Sequence, residues 1–472
     1  MKKKITYILL CSLMLTFAAC EEFTDITPKG KNMLQRVTDL DQVLNYRYYG
    51  AAYNASQLSE LINDIYPQIT NIPNLITNPT KTLSSVRVTW DEETGRTELT
   101  VQDYLYTGFY DAIGKVANPV LLMVDAAEGD RELAQRLKAE AYVIRAYMHY
   151  LAVNVFAKAY NPATAATDGG VPYVKENDLL SVPSTKYTVQ EVYDFILADL
   201  EAAFALNSLP DVSANLMRVS LPFAYAVEAK VRMSMHDYSG ALQAAEKSLT
   251  INSAIYDHRP YIAGNFTRLE AQCPEDLFFA SYGYLLLIGL TPELTASFEP
   301  GSIFYYSITN GPYAIYNLGP IYHGLPVDVV MMLTAFCSGG GLTTVDMYLT
   351  KAECLIRSGK IAEAMAILND IRTYRIDPAV YAPLTATNTA DAFAALKRLS
   401  RTENFYGCKN FINLKRWNTE DAYKDTLTKT ISWTAASGPA SYTYTLRPES
   451  PLWIFPFPQN ATSFNPNLEQ NY

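Results

Sequence analysis

The chain has 472 residues, of which 49% are hydrophobic and 18% charged, and its formal net charge is −10. This composition implies a packed core and argues against a nucleic-acid partner: phosphate binding needs a Lys/Arg surplus on some face, and the one basic cluster is Lys2-Lys3-Lys4. Tyr outnumbers Phe 35 to 19, and an aromatic ring with a polar tip suits clefts and wet surfaces as well as core edges.

The N-terminus carries an address. A basic start, Met1 to Lys4, precedes an apolar run from Ile5 to Leu15, and Phe17-Ala18-Ala19 leads into Cys20. Residues 1–19 read as a secretory signal, because the apolar run is too short for an ordinary membrane-spanning helix. Cys20 after two small residues resembles the lipobox of bacterial lipoproteins, in which this Cys becomes the lipidated first residue (palmitate-type acylation). Phe17 departs from that pattern, where Leu is usual. Each buried CH₂ of an acyl chain is worth about 0.8 kcal/mol, and two or more chains anchor stably. Residues 20–35 then form a tether. Its acidic start, Glu21, Glu22 and Asp25, resembles the surface-export signal of Bacteroidota lipoproteins.

Trp90 stands beside Asp91-Glu92-Glu93, and Glu93-Thr94-Gly95-Arg96 reads as a hairpin loop, which makes Trp90 a candidate sugar-contacting ring. From Glu132 to Phe156, Leu133, Leu137, Ala141, Ile144, Met148, Leu151 and Val155 recur at steps of three and four. That spacing predicts a long helix with one apolar stripe and with Arg131, Arg136, Lys138 and Glu140 on the other face. The Gly- and Pro-bearing stretch from Asn161 to Pro172 predicts a loop.

Tyr225, Ala229, Tyr238 and Ala241 match Tyr348, Ala352, Ile361 and Ala364 at one constant offset. Each set has the small-residue spacing of a tetratricopeptide helix pair, with a polar turn at His236-Asp237 or Ser358-Gly359-Lys360. The expected fold class is therefore mostly α, although the copies are not adjacent in the chain. Residues 255–342 are rich in Gly and Pro interleaved with aromatics, which predicts long irregular loops forming a ligand face. The candidate ligand-binding residues there are Tyr282, Tyr284, Tyr305, Tyr306, Tyr313 and Tyr316.

Five motifs in chain order resemble one family. They are Tyr110 to Asn118, Lys138 to Tyr147 with the following Gly170-Val171-Pro172, Met347 to Glu353, Asn413 to Trp417, and the C-terminal Leu452 to Pro456 with Asn465 to Tyr472. Together they resemble the SusD/RagB family of outer-membrane nutrient-binding lipoproteins (starch-utilisation-system type). Ser400 to Cys408 keeps only part of the family's acidic run. The resemblance implies a SusD-like α-α superhelix of four tetratricopeptide-like pairs. It implies one domain over 36–472, with an N-terminal part of about 36–255 and a C-terminal part of about 256–472. It also implies a glycan ligand, an outer-membrane location facing the cell exterior, and a SusC-like TonB-dependent transporter as partner. Peptide ligands, and a periplasm-facing scaffold for another protein, stay open as alternatives.

Catalytic marks are absent from the sequence. The four histidines (His149, His236, His258, His323) form no HExxH, and no G-x-S-x-G elbow occurs. Cys273, Cys337, Cys354 and Cys408 have no zinc spacing, and their disulfide state is open. No enzyme activity, cofactor or catalytic metal is expected, although a glycosidase using Asp91, Glu92 and Glu93 needs no fixed spacing.

Overall fold

The computed structural model describes residues 34–48, 55–68, 70–178, 181–263, 273–280, 285–310, 314–315, 318–333 and 339–472. Eight helices make the array: α1 (Arg131–Phe156) pairs with α2 (Val189–Ala205), α3 (Leu221–Ser234) with α4 (Tyr238–Ile251) and α5 (Thr344–Arg357) with α6 (Ile361–Thr373), then α7 (Thr389–Glu403) packs on α5 and α6 and α8 (Lys409–Trp417) follows it. Their starts follow from local chemistry. Asp130 Oδ1 accepts from the N–H groups of Glu132 and Leu133 at the head of α1. Thr188 with Glu191 and Thr343 with Asp346 form reciprocal capping boxes on α2 and α5.

The two copies read from the sequence are α3–α4 and α5–α6. His236 (φ 63°) and Gly359 (φ 79°) hold the same left-handed place in the two turns. Residues 252–343 separate the copies in the chain, yet α4 packs directly on α5, so the helix array is continuous in space. The intervening segment leaves the array and returns.

That segment is more regular than its Gly and Pro content predicts. It builds most of an antiparallel sheet of β1 (Ile65–Tyr66), β2 (Leu285–Leu290), β3 (Ala314–Ile315) and β4 (Val329–Leu333), in the order β1-β2-β4-β3. Short apolar runs bounded by turns suit a covered strand, and Ile288, Leu290 and Val330 are buried with Leu294, Phe298 and Ile308. The predicted loop before Pro172 also ends in a strand, Gly169–Pro172, paired with Lys186–Thr188. A hairpin of β5 (Leu427–Ala435) and β6 (Gly438–Leu446) turns Lys429, Ile431, Trp433 and Tyr444 to the body and Thr430, Ser432, Ser441 and Thr443 to solvent.

Helix α1 departs from the one-stripe expectation. From Ala139 to Phe156 every residue but Tyr142 is buried, so its polar groups need partners inside the protein. Glu140 accepts two hydrogen bonds from Arg218, at 2.7 and 2.9 Å. Arg145 donates to both oxygens of Asp199, at 2.6 and 2.7 Å. Farther along the array, Glu353 on α5 receives both Arg416 nitrogens at 2.7 Å and the Trp417 indole at 3.1 Å. Burial alone would raise the Glu353 pKa, but Arg416 and Arg357 override it and hold it at about 2. Cys354 and Cys408 are buried free thiols, and Cys337 lies outside the described residues.

His149 faces the same demand. Its Nδ1 donates to Arg145 O and its Nε2 accepts from the Val174 N–H, both within 3.0 Å, which requires the neutral ring. Burial pushes its pKa from 6.5 down to about 3. The unfolded chain therefore binds a proton that the folded chain refuses. His149's contribution to stability is complete above the ordinary histidine pKa and is lost as pH falls toward 3. Urea melts between pH 7 and pH 5 should show stability falling with acidification, by at most about 1.4 kcal/mol per pH unit for this group. His149→Gln should make that slope shallower, and an unchanged slope would refute the assignment.

Candidate ligand-binding cleft

Residues 298–310 meet the loop after α6, and a cleft opens between them. Two backbone bonds fix the approach: Ile303 N–H donates to Arg375 O at 3.0 Å and Asp377 N–H donates to Gly301 O at 2.8 Å. Gly301 sits at φ 81°, and a Cβ there would lie 2.3 Å from Val380 Cγ2, so the crossing needs glycine on both counts. The cleft encloses about 1080 Å³ open to solvent. Phe298, Tyr305 and Tyr306 line it, with Asn310 and Asp377 as polar groups.

Its aromatic wall is graded from buried to exposed. Phe298 is buried, and Tyr305 stacks on it with ring centroids 4.9 Å apart and planes 20° apart. The Tyr305 hydroxyl donates to Asp328 Oδ2 at 3.1 Å. Burial, then the Asp328 carboxylate, raises its pKa to about 12, so it stays a neutral donor. Tyr306 is 50% exposed. Ile262, which also lines the cleft, and Val380, at the Gly301 crossing, are exposed as well. An exposed ring and an exposed aliphatic side chain on one concavity, with Val380 exposed beside the Gly301 crossing, are surface chemistry suited to a partly apolar ligand.

Behind this cleft, across Phe298, Glu299 and Ser302, lies a more enclosed chamber. Its charges are engaged with one another. Arg375 bonds Glu275 and Glu403, Arg372 bonds both oxygens of Glu299, and Lys409 bonds Asp346. Ions that pair with one another in this way form a structural network at the back of the cleft. Among the described residues no cluster of His, Cys, Asp and Glu could hold a metal ion.

The sequence candidates separate on this geometry. Tyr305 and Tyr306 reach the cleft, but from a helix, Ile303–Asn310, and not from loops. Eight residues without Gly or Pro follow Ser302, and Ile303, Ser307 and Ile308 fall on one buried side. Tyr282, Tyr284, Tyr313, Tyr316 and Cys20 lie outside the described residues. Trp90 is not a ligand-facing ring. It is 5% exposed, its indole donates to Leu61 O at 2.7 Å, and the Lys429 ammonium lies 3.9 Å from its ring centroid. The expected hairpin at Glu93–Arg96 is instead a turn between the helices Leu83–Thr89 and Arg96–Leu99, in which Asp91 accepts from the N–H groups of Glu93 and Thr94. Sequence reasoning missed Ile262, Asn310 and Asp377 as lining residues. Asp377-Pro378 is a visible turn signal, but nothing in the sequence places it against Gly301.

Residues 22–233 match the family described as starch-binding associating with outer membrane, and residues 344–472 match the SusD family. No curated protein matches the chain. Solved structures share its fold. One from Bacteroides vulgatus is 17% identical with a TM-score of 0.67, covering 93% of this chain and 99% of its own. A SusD superfamily protein from Bacteroides thetaiotaomicron is 17% identical with a TM-score of 0.63, covering 93% and 100%. A SusD-like carbohydrate binding protein from Bacteroides vulgatus is 15% identical with a TM-score of 0.62, covering 93% and 98%.

The two aromatic environments predict opposite consequences of truncation. Trp90→Ala should cost about 3–5 kcal/mol in denaturant melts, as large-to-small changes in a core do. Tyr306→Ala should leave stability within about 0.5 kcal/mol. A large loss of stability in Tyr306→Ala would remove it from the open wall of the cleft.

Proposed function

The chain belongs to the SusD family, and from that premise we propose that it is a cell-surface lipoprotein that binds glycan in the cleft at Tyr305 and Tyr306 and delivers it to a SusC-like TonB-dependent transporter. The observation that carries this reading is the half-exposed Tyr306, with the exposed Ile262, on an open concavity of about 1080 Å³. A sugar presents apolar C–H faces and a rim of hydroxyls. Aromatic rings pack on the faces, and groups such as Asn310 and Asp377 bond the rim. No chemistry on the ligand is required, only a preformed wet wall. Modest affinity suffices, because attachment to a transporter raises the effective concentration of captured ligand.

The address in the sequence supports the membrane part of the reading. Among the described residues no helix is long and apolar enough to cross a membrane; in this reading acyl chains on Cys20 are the anchor. Labelled palmitate should enter the wild-type protein and not Cys20→Ala. The tagged lipoprotein should bring down a transporter-class barrel from solubilised outer membranes. In affinity electrophoresis through gels cast with starch, mannan, arabinan, galactan or β-glucan, at least one polymer should retard the wild-type protein. Tyr306→Ala should lose that retardation at an unchanged melting temperature. Equal retardation of the two would remove the cleft from the proposal.

A further inference from the structure

We infer that this cleft selects uncharged glycan and rejects anionic glycan, an inference that rests on the glycan-binding reading above. The basis is the sign of the charge left unbalanced around the aromatic wall. Among the described residues no Lys or Arg lines the cleft. Two guanidiniums adjoin it: Arg372 bonds both oxygens of Glu299 and also Asn369 and Ala382 O, so that pair presents no net charge, and Arg398, held on the Ser297 and Phe298 carbonyls, offsets only one of the two carboxylates that follow.

Two carboxylates are left without a cationic partner among the described residues. Asp377 accepts only from the Ala379 N–H, through Oδ1 at 2.8 Å. Asp328 accepts from the Tyr305 hydroxyl through Oδ2. Asp377, which lines the cleft, keeps its second oxygen as an acceptor, and Asp328 stands one hydrogen bond behind the Tyr305 wall and adds its charge from there. A neutral sugar supplies hydroxyl donors that such acceptors bind strongly. A uronate or sulfate supplies no extra donor there and adds a like charge, and like-charge juxtaposition is a standard means of rejecting wrong partners. The net charge of −10 acts in the same direction at longer range.

The test compares each polysaccharide of the gel panel with two derivatives of itself, one lightly carboxymethylated and one hydroxyethylated to the same degree as a neutral control for bulk. The probes are starch, mannan, arabinan, galactan and β-glucan. At ~0.01 M salt, where screening is weak, the carboxymethyl form of any polymer that binds should bind about tenfold more weakly than its hydroxyethyl form, and the gap should close near ~1 M salt. Asp377→Asn with Asp328→Asn keeps the oxygen that accepts from the Ala379 N–H and the one that accepts from the Tyr305 hydroxyl, removes both charges, and should shrink the gap between the two derivatives to about twofold, whereas Asp377→Lys should reverse it. Equal binding of both derivatives, with Tyr306→Ala still abolishing it, would overturn charge selection and leave the cleft intact. So would a gap that the Asn variants do not change. Retention of no polymer, or retention indifferent to Tyr306→Ala, would instead overturn the glycan-binding reading, and this inference with it.

Discussion

From Ala139 to its C-terminus helix α1 is sheathed by the rest of the protein, and that constraint organises the structure. A helix buried all round must satisfy inside the fold what a surface helix leaves to water, above all the carbonyls of its last turn. The C-terminus of α1 solves this with side chains from far along the chain. Lys415 Nζ donates to Asn154 O and Ala157 O, and Asn471 Nδ2 donates to Phe156 O and Gly170 O. Burial pulls the Lys415 pKa well below its usual range, so its hold on those carbonyls is set against desolvation. A cation at a helix C-terminus is favourable in sign as well as in hydrogen bonding.

The motifs that identified the family are these satisfying groups. Glu140 and Arg145 are the buried charges of α1, paired to Arg218 and Asp199. Lys415 and Arg416 adjoin in α8 yet serve different places: one closes the end of α1, the other pairs with Glu353 on α5. The C-terminal Gln470 exchanges hydrogen bonds with the Phe457 backbone, and Arg96 lies 3.9 Å over the Tyr472 ring. Removing one partner of a buried ion pair costs about 3–5 kcal/mol, because the other charge is left uncompensated. A sequence that keeps all of these groups in order is therefore recognisable even where identity to solved relatives is 17% or less.

What was legible in the sequence follows from the same physics. The long helix and both helix pairs were readable because the 3.6 period and small-residue spacing are local. That Glu140 is interior was not, since a charge looks exposed until its partner 78 positions away is known. The sheet through β2 and β4 was hidden by Gly and Pro, although Val329 to Leu333 has the length and composition of a covered strand. The hairpin β5–β6 carries a plain period-2 alternation that a helical expectation passes over. For the cleft, Tyr305 and Tyr306 were readable as aromatic density. Trp90 misled, because a Trp beside three acids reads the same whether its ring faces solvent or packs under Lys429.

The arrangement separates holding the fold from meeting the ligand. The helix array closes on itself where α4 packs on α5, so residues 252–343 can leave and return without interrupting it. The side chains at and beside the cleft, Tyr306, Ile262 and Val380, are among the exposed apolar residues, whereas the motif residues Glu140, Arg145, Glu353 and Arg416 are buried. Changes at exposed positions away from such networks typically shift stability by less than about 0.5 kcal/mol. A change of about 1.4 kcal/mol in ligand contact already alters affinity tenfold. Ligand preference can therefore be retuned on the excursion at almost no cost to folding. The excursion is tied back to the array at the Gly301 crossing on the loop after α6, by the Arg372–Glu299 and Arg375–Glu275 pairs, and by Arg398 and Arg401 of α7 on the carbonyls of Ser297 and Glu293. Through these contacts the rigid array fixes the position of the aromatic wall.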